Sequence, residues 1–466
     1  MSHARPHTEP YDSVLDLIGW TPMIRLSRVT DGIRTPVFAK AEFMSPGGSV
    51  KDRIGLAMIR AFEESGELEP GGVIVEATSG NTGFALAMAA TVRGYRCVFT
   101  MPDKMSQEKV KLLRALGAEV VITPTAVPPD HPESYTEKAK AIAAGTPGAI
   151  LANQFYNPSN PDAHYRTTGP EVWEQTGGQV SHFLAGAGTG GTISGTARYL
   201  KERNEAIRIV GVDPVGSILA HYHAEGELIE GQPYKVEGLG SDKIPGNLHM
   251  DLIDRWITVS DGQAFRMARR LSREEGLFVG GSSGLLVHAA LEVAREVDDP
   301  EACVVTILCD WGEHYLTKLY DDDWMRENGF LERTRRRTVD DLVATKEDDA
   351  PALLTVEPST SIRMALSTIT THDVSQLPVV RDGECLGSVA EGDLMSRVIE
   401  DPALLDEPVE SVMDAPFPVV DGHAAADEVA HMLTRSNAAC LVRRAGALSG
   451  IVTRYDVVRT LTGAVR

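Results

Sequence analysis

Between Val37 and Asp310 the chain alternates short apolar runs with longer stretches of helical period. The runs are Val37–Phe43, Val73–Ala77, Cys97–Pro102, Glu119–Pro124, His182–Ala187, Arg208–Asp213 and Cys303–Asp310. They are rich in β-branched residues and lack strict polar alternation, which predicts strands buried on both faces of open, mostly parallel sheets. Helices such as Ser49–Ser65 and Ser283–Val297 then cover both faces, and the fold class is α/β. The rhythm stops near Leu331. The charge-dense stretch from Glu332 to Arg337, followed by Asp340-Asp341 and Glu347-Asp348-Asp349, offers little to bury and reads as a linker over 332–350. Beyond it the segment GSVAEGDL (Gly387–Leu394) recurs as GIVTRYDV (Gly450–Val457). The two copies, 351–400 and 408–466, each read helix, strand, strand, helix. Neither is large enough to bury a full core alone, so they are expected to pack together.

Composition narrows the function classes. The 466 residues carry 45 Lys+Arg against 66 Asp+Glu, a formal net charge of −21. Such a surface repels phosphate backbones and anionic lipids, and no basic cluster with interleaved aromatics offsets it, so neither nucleic acid nor membrane is expected as a partner. Five scattered cysteines without a Cys-x-x-Cys pair indicate neither a disulfide scaffold nor a metal site. The polar stretch Met1–Pro10 has no apolar leader core, and the longest apolar run, Phe84–Val92, is far short of a span; the chain reads as cytoplasmic.

Four strand-to-helix loops carry candidate chemistry. Gly186-Ala187-Gly188-Thr189-Gly190-Gly191-Thr192 offers amide donors to a phosphate at a helix N-terminus. It also fits a dinucleotide fingerprint, with Asp213 at the end of the next strand as a ribose-binding acid, so a nicotinamide-dependent dehydrogenase stands as a rival. Lys51 follows the turn Pro46-Gly47-Gly48 and opens a helix. The helix end and nearby Arg53 both disfavour its ammonium form, as a Schiff-base lysine needs, although a lone lysine is usually a solvated one. Thr78-Ser79-Gly80-Asn81-Thr82-Gly83 suits a carboxylate at a second helix N-terminus. Gly280-Gly281-Ser282-Ser283-Gly284 matches the nucleophile turn of hydrolases, but Asp310 and His314 lie too near each other to complete a triad. A phosphate site, a carboxylate site and an aldehyde-binding lysine together describe pyridoxal phosphate and an amino acid.

The stretches Pro46–Ile54, Thr78–Gly83, Gly188–Thr192 and Gly280–Gly284 resemble the fold-type-II pyridoxal-phosphate enzymes of the cysteine synthase/cystathionine β-synthase family. Asp103–Val121, Asn153–Glu171, Gly211–Ala220 and Thr317–Leu331 extend the likeness, which covers Val14 to Leu331. The C-terminal repeat resembles a tandem CBS-domain module. The resemblance implies a catalytic region of two α/β subdomains over 1–331. It implies that Lys51 holds the cofactor and moves the Cα proton, that Asn81 bonds the ring oxygen, that Gly188, Thr189, Gly190, Gly191 and Thr192 hold the phosphate, and that Ser282 faces the ring nitrogen. Thr78, Ser79, Thr82 and Gln154 would bind the substrate carboxylate, with Gly238 in the neighbouring substrate loop. The implied reaction is β-replacement joining L-serine and L-homocysteine to cystathionine and water; the alternative is cysteine synthesis from O-acetylserine or O-phosphoserine and sulfide. A homodimer or higher homo-oligomer is implied as well. Ser45 stands where asparagine is usual, and Ser241 where the animal enzymes carry tyrosine. No cysteine precedes Cys97, and no haem is expected. In the repeat, Thr453 and Asp456 fit an adenosyl ligand such as S-adenosylmethionine, whereas Ala390 replaces the hydroxyl in the first copy.

Overall fold

The computed structural model describes residues 10–78, 80–103, 107–128, 130–331, 338–344, 353–433 and 437–457. It divides at Glu332/Arg333 into two compact units. The first contains ten strands: β1 (Met23–Arg25), β2 (Val37–Ala41), β3 (Val73–Ala77), β4 (Arg96–Pro102), β5 (Glu119–Thr123), β6 (Ala149–Leu151), β7 (His182–Gly186), β8 (Arg208–Pro214), β9 (Arg255–Val259) and β10 (Val304–Leu308). They form a six-stranded sheet of order β1-β2-β10-β7-β8-β9 and a four-stranded sheet of order β5-β4-β3-β6. Among the described strands of these two sheets only the β1–β2 pairing is antiparallel.

The central strands have the continuous apolar character that burial on both faces demands. All five residues of β10 are buried, and Phe183, Leu184, Val304 and Val305 are the middle of one core. A second core, around Ile54, Met58, Leu86, Phe99 and Met101, belongs to the four-stranded sheet. The helix Lys51–Ser65 packs in that second core, yet its first turn is anchored by charge to elements of the first. Arg53 gives Nε and Nη2 to Glu42 at 2.7 and 2.8 Å, and Nη1 and Nη2 to Glu171 at 2.6 and 2.7 Å. Lys40 Nζ completes the cluster, 2.8 Å from Glu171 Oε2. All four charged side chains are buried. Burial alone would raise the Glu42 and Glu171 carboxyls, but the Arg53 guanidinium holds both below the ordinary range.

The second unit holds two hairpins: β11 (Gln376–Arg381) with β12 (Glu384–Ala390), and β14 (Ala439–Arg444) with β15 (Ala447–Thr453), the latter joined by β13 (Val419–Asp421). The expected strand–turn pairs are both present. Each turn has two left-handed residues, Asp382-Gly383 and Ala445-Gly446, matching the twist of a two-residue hairpin. Each repeat has its own small core, and both lie in one compact unit, as the expectation that they pack together requires. Two segments sit differently from the sequence reading. Residues Val339–Ala344, read as linker, form a helix whose Val339, Leu342 and Val343 are buried with Val429, Cys440 and Val452 of the second repeat. Residues 408–413, read as the start of the second repeat, place Val409, Val412 and Met413 on the core of the first. In both cases the apolar side chains of a short, charge-flanked stretch outweigh its polar appearance. The remaining linker residues, 332–337 and 345–350, lie outside the described residues. Among the described residues no helix is long and apolar enough to cross a membrane.

Replacing Arg53 by leucine leaves the buried carboxylates of Glu42 and Glu171 to share Lys40 as their counter-charge. Unfolding of the catalytic unit should become easier by about 3–5 kcal/mol at neutral pH, read from denaturant midpoints. Because the carboxyls are held low in the folded state, their contribution is present at neutral pH and lost as the pH falls through their depressed values. The gap between variant and parent should therefore close on acidification.

Candidate active site

The carboxyl ends of β7 and β10, with segments that follow β2 and β3, line one cavity of about 530 Å³, counting its open mouth. Its wall includes Lys51, Asn81, Gly188, Thr189, Gly190, Thr192, Gly238 and Ser282, so most of the residues singled out in the sequence meet there. Thr78, Thr82, Gln154 and Gly191 do not line it, and Ser79 lies outside the described residues. The threonines and Gln154 are nevertheless grouped. Thr82 Oγ1 donates to Gln154 Oε1 at 2.7 Å, and Thr78 Oγ1 accepts from the Gly83 amide at 3.2 Å.

Lys51 begins its helix directly after a turn that is stitched to the end of β10. The Val50 amide donates to the Cys309 carbonyl at 2.9 Å, and the Trp311 amide to the Gly48 carbonyl at 3.1 Å. The Lys51 amine has a lowered pKa, as expected, but for a different reason. Burial lowers it, while Cys309 and Asp310 oppose the shift; Arg53 spends its charge on Glu42 and Glu171 instead.

The glycine loop after β7 comes close to the loop carrying Glu237. A Cβ on Gly188 would lie 2.3 Å from the Gly238 carbonyl oxygen, and Gly190 has φ of +85°, the left-handed region that favours glycine. The helix Gly191–Arg203 starts here, so its first amides lack intrahelical acceptors and face an incoming anion. Asp213, the acid of the dinucleotide alternative, is instead buried at the end of β8, where its Oδ2 accepts from the Ala220 amide at 3.1 Å; burial pushes its carboxyl up to about 6.

Sequence reasoning missed three contributors. Asp310, considered only as a triad acid, accepts from Asn81 Nδ2 at 2.8 Å and from the Tyr315 hydroxyl at 2.7 Å, so it orients Asn81. Cys309 adjoins Ser282 and Lys51, with its thiol pushed up to about 12 by burial. Both follow the last parallel strand, the position where open sheets bind ligands, and that placement was the available signal. Glu237 lines the cavity between Lys109, at 2.8 Å, and Lys318. Burial would raise its carboxyl, but the two lysines hold it below the ordinary range.

Comparison with known proteins decides between the phosphate and dinucleotide readings. Residues 14–310 match the pyridoxal-phosphate dependent enzyme family, and 347–400 and 409–463 match the CBS domain. The chain is 41% identical over 409 residues to cystathionine beta-synthase of Dictyostelium discoideum, covering 86% of this chain and 82% of the relative. It is 40% identical over 462 residues to cystathionine beta-synthase of Rattus norvegicus, covering 96% and 82%. The chain belongs to the cystathionine β-synthase branch of the pyridoxal-phosphate-dependent enzymes. Among solved structures of that branch, the O-acetylserine dependent cystathionine beta-synthase from Helicobacter pylori matches with a TM-score of 0.60 at 40% identity, covering 66% of this chain and 98% of that one.

The residues present fit the cofactor of a cystathionine β-synthase. A buried amine suits its aldehyde, and the amides and hydroxyls from Gly188 to Thr192 suit its phosphate. The tight passage at Gly188 gives a direct check. Gly188→Ala must push the Glu237–Asp242 loop away, and overpacking of this kind costs about 1–3 kcal/mol. Affinity of the apoenzyme for pyridoxal phosphate should fall by about tenfold or more, measured by titrating the visible band.

Proposed function

We propose that this enzyme condenses L-serine with L-homocysteine to give cystathionine and water, with Lys51 as its catalytic residue. The observation that carries the assignment of roles is the part-buried, lowered-pKa Lys51 lining one cavity with Asn81, the Gly188–Thr192 loop and Ser282. When bound, pyridoxal phosphate supplies an aldehyde that captures amino groups and a ring that spreads the electron pair released at Cα.

Lys51 is the only one of these groups able to exchange a proton at Cα. Burial lowers the pKa of its amine, which favours the neutral form that would hold the cofactor's aldehyde and, once released by the substrate amine, would take the Cα proton. The same amine can pass that proton to the departing serine hydroxyl, which leaves as water. Gly188, Thr189, Gly190, Gly191 and Thr192 would hold the phosphate, and Asn81, fixed by Asp310, the ring oxygen. Ser282 would meet the ring nitrogen with a neutral hydroxyl rather than a carboxylate, which favours elimination over reactions that need a long-lived carbanion. Thr78, Ser79, Thr82 and Gln154 would bind the substrate carboxylate, and Gly238 belongs to the loop that admits the second substrate. The Helicobacter neighbour and Ser241 support a second reading, in which O-acetylserine replaces serine or sulfide replaces homocysteine.

In the CBS module Thr453 and Asp456 would take an adenosyl ligand such as S-adenosylmethionine. Both the amide and the hydroxyl of Thr453 donate to Asp456 Oδ2 at 2.7 Å, and Asp456 is buried, whereas Asp393 in the first copy is exposed. The exposed apolar side chains of Val14, Leu17 and Trp20 support assembly with further copies of the chain. The acidic composition suits a cytoplasmic enzyme.

Borohydride treatment of the holoenzyme should leave a pyridoxyl group on the Lys51 peptide, and Lys51→Ala should lower cystathionine formation by at least about 10³-fold. A reduced adduct on another lysine would overturn the assignment. Parallel assays with serine or O-acetylserine, each with homocysteine or sulfide, decide the substrates: serine with homocysteine should give the highest kcat/KM. For the module, calorimetric titration with S-adenosylmethionine should show binding that Asp456→Ala abolishes and Asp393→Ala leaves intact.

A further inference from the structure

The helix Ser159–Arg166 lies against the helix Gly191–Arg203 at very short range. A Cβ on Gly191 would fall 1.8 Å from Asn160 Oδ1, and one on Gly195 would fall 2.0 Å from the Pro161 carbonyl oxygen and 2.9 Å from His164 Cβ. Asn160 and His164, four residues apart, share one face of their helix. The close approach brings both side chains, each only 1% exposed, to the two threonines of the loop that the proposed function assigns to the phosphate. Asn160 Nδ2 donates to Thr189 Oγ1 at 2.9 Å, and His164 Nε2 lies 3.1 Å from Thr192 Oγ1.

We propose that Asn160 and His164 are positioning residues that donate to the hydroxyl oxygens of Thr189 and Thr192, so that both hydroxyl protons point into the anion site. The proposal rests on the reading that the phosphate sits on this loop.

The direction of each bond follows from its other partner. Asn160 Nδ2 also donates to the Gln154 carbonyl oxygen at 2.7 Å, and a carbonyl can only accept, so the amide cannot be turned round. Thr189 Oγ1 therefore receives a proton, and its own proton is left for an acceptor in the cavity it lines. For His164 the choice lies between two tautomers. Nδ1 is 2.8 Å from Thr168 Oγ1, and Thr168 is fully buried. If Nδ1 carried the proton, the Thr168 hydroxyl hydrogen would be buried with no acceptor at the ring. If Nε2 carries it, Thr168 donates to Nδ1, Nε2 donates to Thr192, and the Thr192 hydroxyl is free to donate to a phosphate oxygen. Burial, together with the charges of Arg53 and Lys51, holds the ring well below its usual pKa and hence neutral, so that only one nitrogen bears a proton. An anion in the loop and a satisfied Thr168 select the same tautomer.

The test uses the full-length chain, stripped of cofactor and titrated with pyridoxal phosphate. It reads the affinity, the phosphorus NMR shift of the bound phosphate and the melting of the apoprotein. His164→Leu should weaken binding by about tenfold and move the phosphorus resonance, as should Thr192→Val. In the double variant the second change should add nothing, because the hydroxyl that His164 directs has gone. His164→Gln, which keeps an N–H near the position of Nε2, should recover most of the loss. Losses that multiply in the double variant, or an unmoved phosphorus resonance in His164→Leu, would overturn the proposal. If Thr192→Val itself changes neither affinity nor resonance, the phosphate is elsewhere, and the functional reading of the loop fails together with the inference. Should His164→Leu lose a cooperative apoprotein transition, Thr168→Val carries the test, since it removes the tautomer-selecting donor and leaves the histidine. The phosphorus resonance should move in the same direction as in Thr192→Val, and an unchanged resonance overturns the idea.

Discussion

The catalytic unit depends on where the charge of Arg53 goes. A guanidinium with both neighbouring carboxylates buried has no freedom to re-pair, because every alternative exposes an unpaired ion to a medium that solvates it poorly. Its partners sit just after β2, at Glu42, and on the helix Thr168–Gln175, at Glu171, so the first turn of the Lys51–Ser65 helix is held to the six-stranded sheet while its remaining turns fill the core of the four-stranded one. The two sheets thus share one helix, and Lys51 sits at the shared end. The arrangement also keeps positive charge away from the lysine's own surroundings, since the donors of Arg53 face Glu42, Glu171 and Thr21.

A second constraint acts from the opposite side of the cavity. The three residues after β10 reach three different loops: Cys309 and Trp311 bond the turn before Lys51, Asp310 holds Asn81 by its side chain, and its carbonyl accepts from the Gly280 amide before Ser282. Fixed backbone bonds of this kind let a site built on loops keep the precision of a site built on strands. They also explain why glycine recurs here. At Gly280 a Cβ would lie 2.2 Å from Asp310 Oδ1, so the loop and the strand end approach as closely as backbone permits.

Much of this was readable from residue order, and the exceptions have physical causes. Seven strands announce themselves as apolar runs with β-branched residues, most of them buried on both faces; β5, at a sheet edge, keeps Glu119 and Ile122 exposed. The three that do not announce themselves are edge or minimal strands: β1 and β6 have three residues each, and in β9 Val259 is buried while the other four residues are exposed or part-buried. The glycine loops and Lys51 were legible because local backbone chemistry marks them. Asp310 and His164 were not, because each acts on a residue far away in sequence, 229 positions for Asn81 and 28 for Thr192, and no local pattern encodes such a pairing. The lowered pKa of Lys51 was anticipated from charge proximity, but proximity in sequence says nothing of direction, and the buried carboxylates turn Arg53 the other way.

The helix Val339–Ala344 has a consequence for the order in which the chain matures. It is built before the first repeat but packs in the second, with Asp340 bonded to Arg444, 104 residues further on. During synthesis the described core of the first repeat is complete once residue 413 has emerged, whereas this helix must wait, its apolar face uncovered, until β14 and β15 follow. Closing so long a loop is slow compared with local hairpin formation. The second repeat is therefore the last part of the molecule to form, and for that interval the nascent chain presents Val339, Leu342 and Val343 to whatever folding assistants the cell provides.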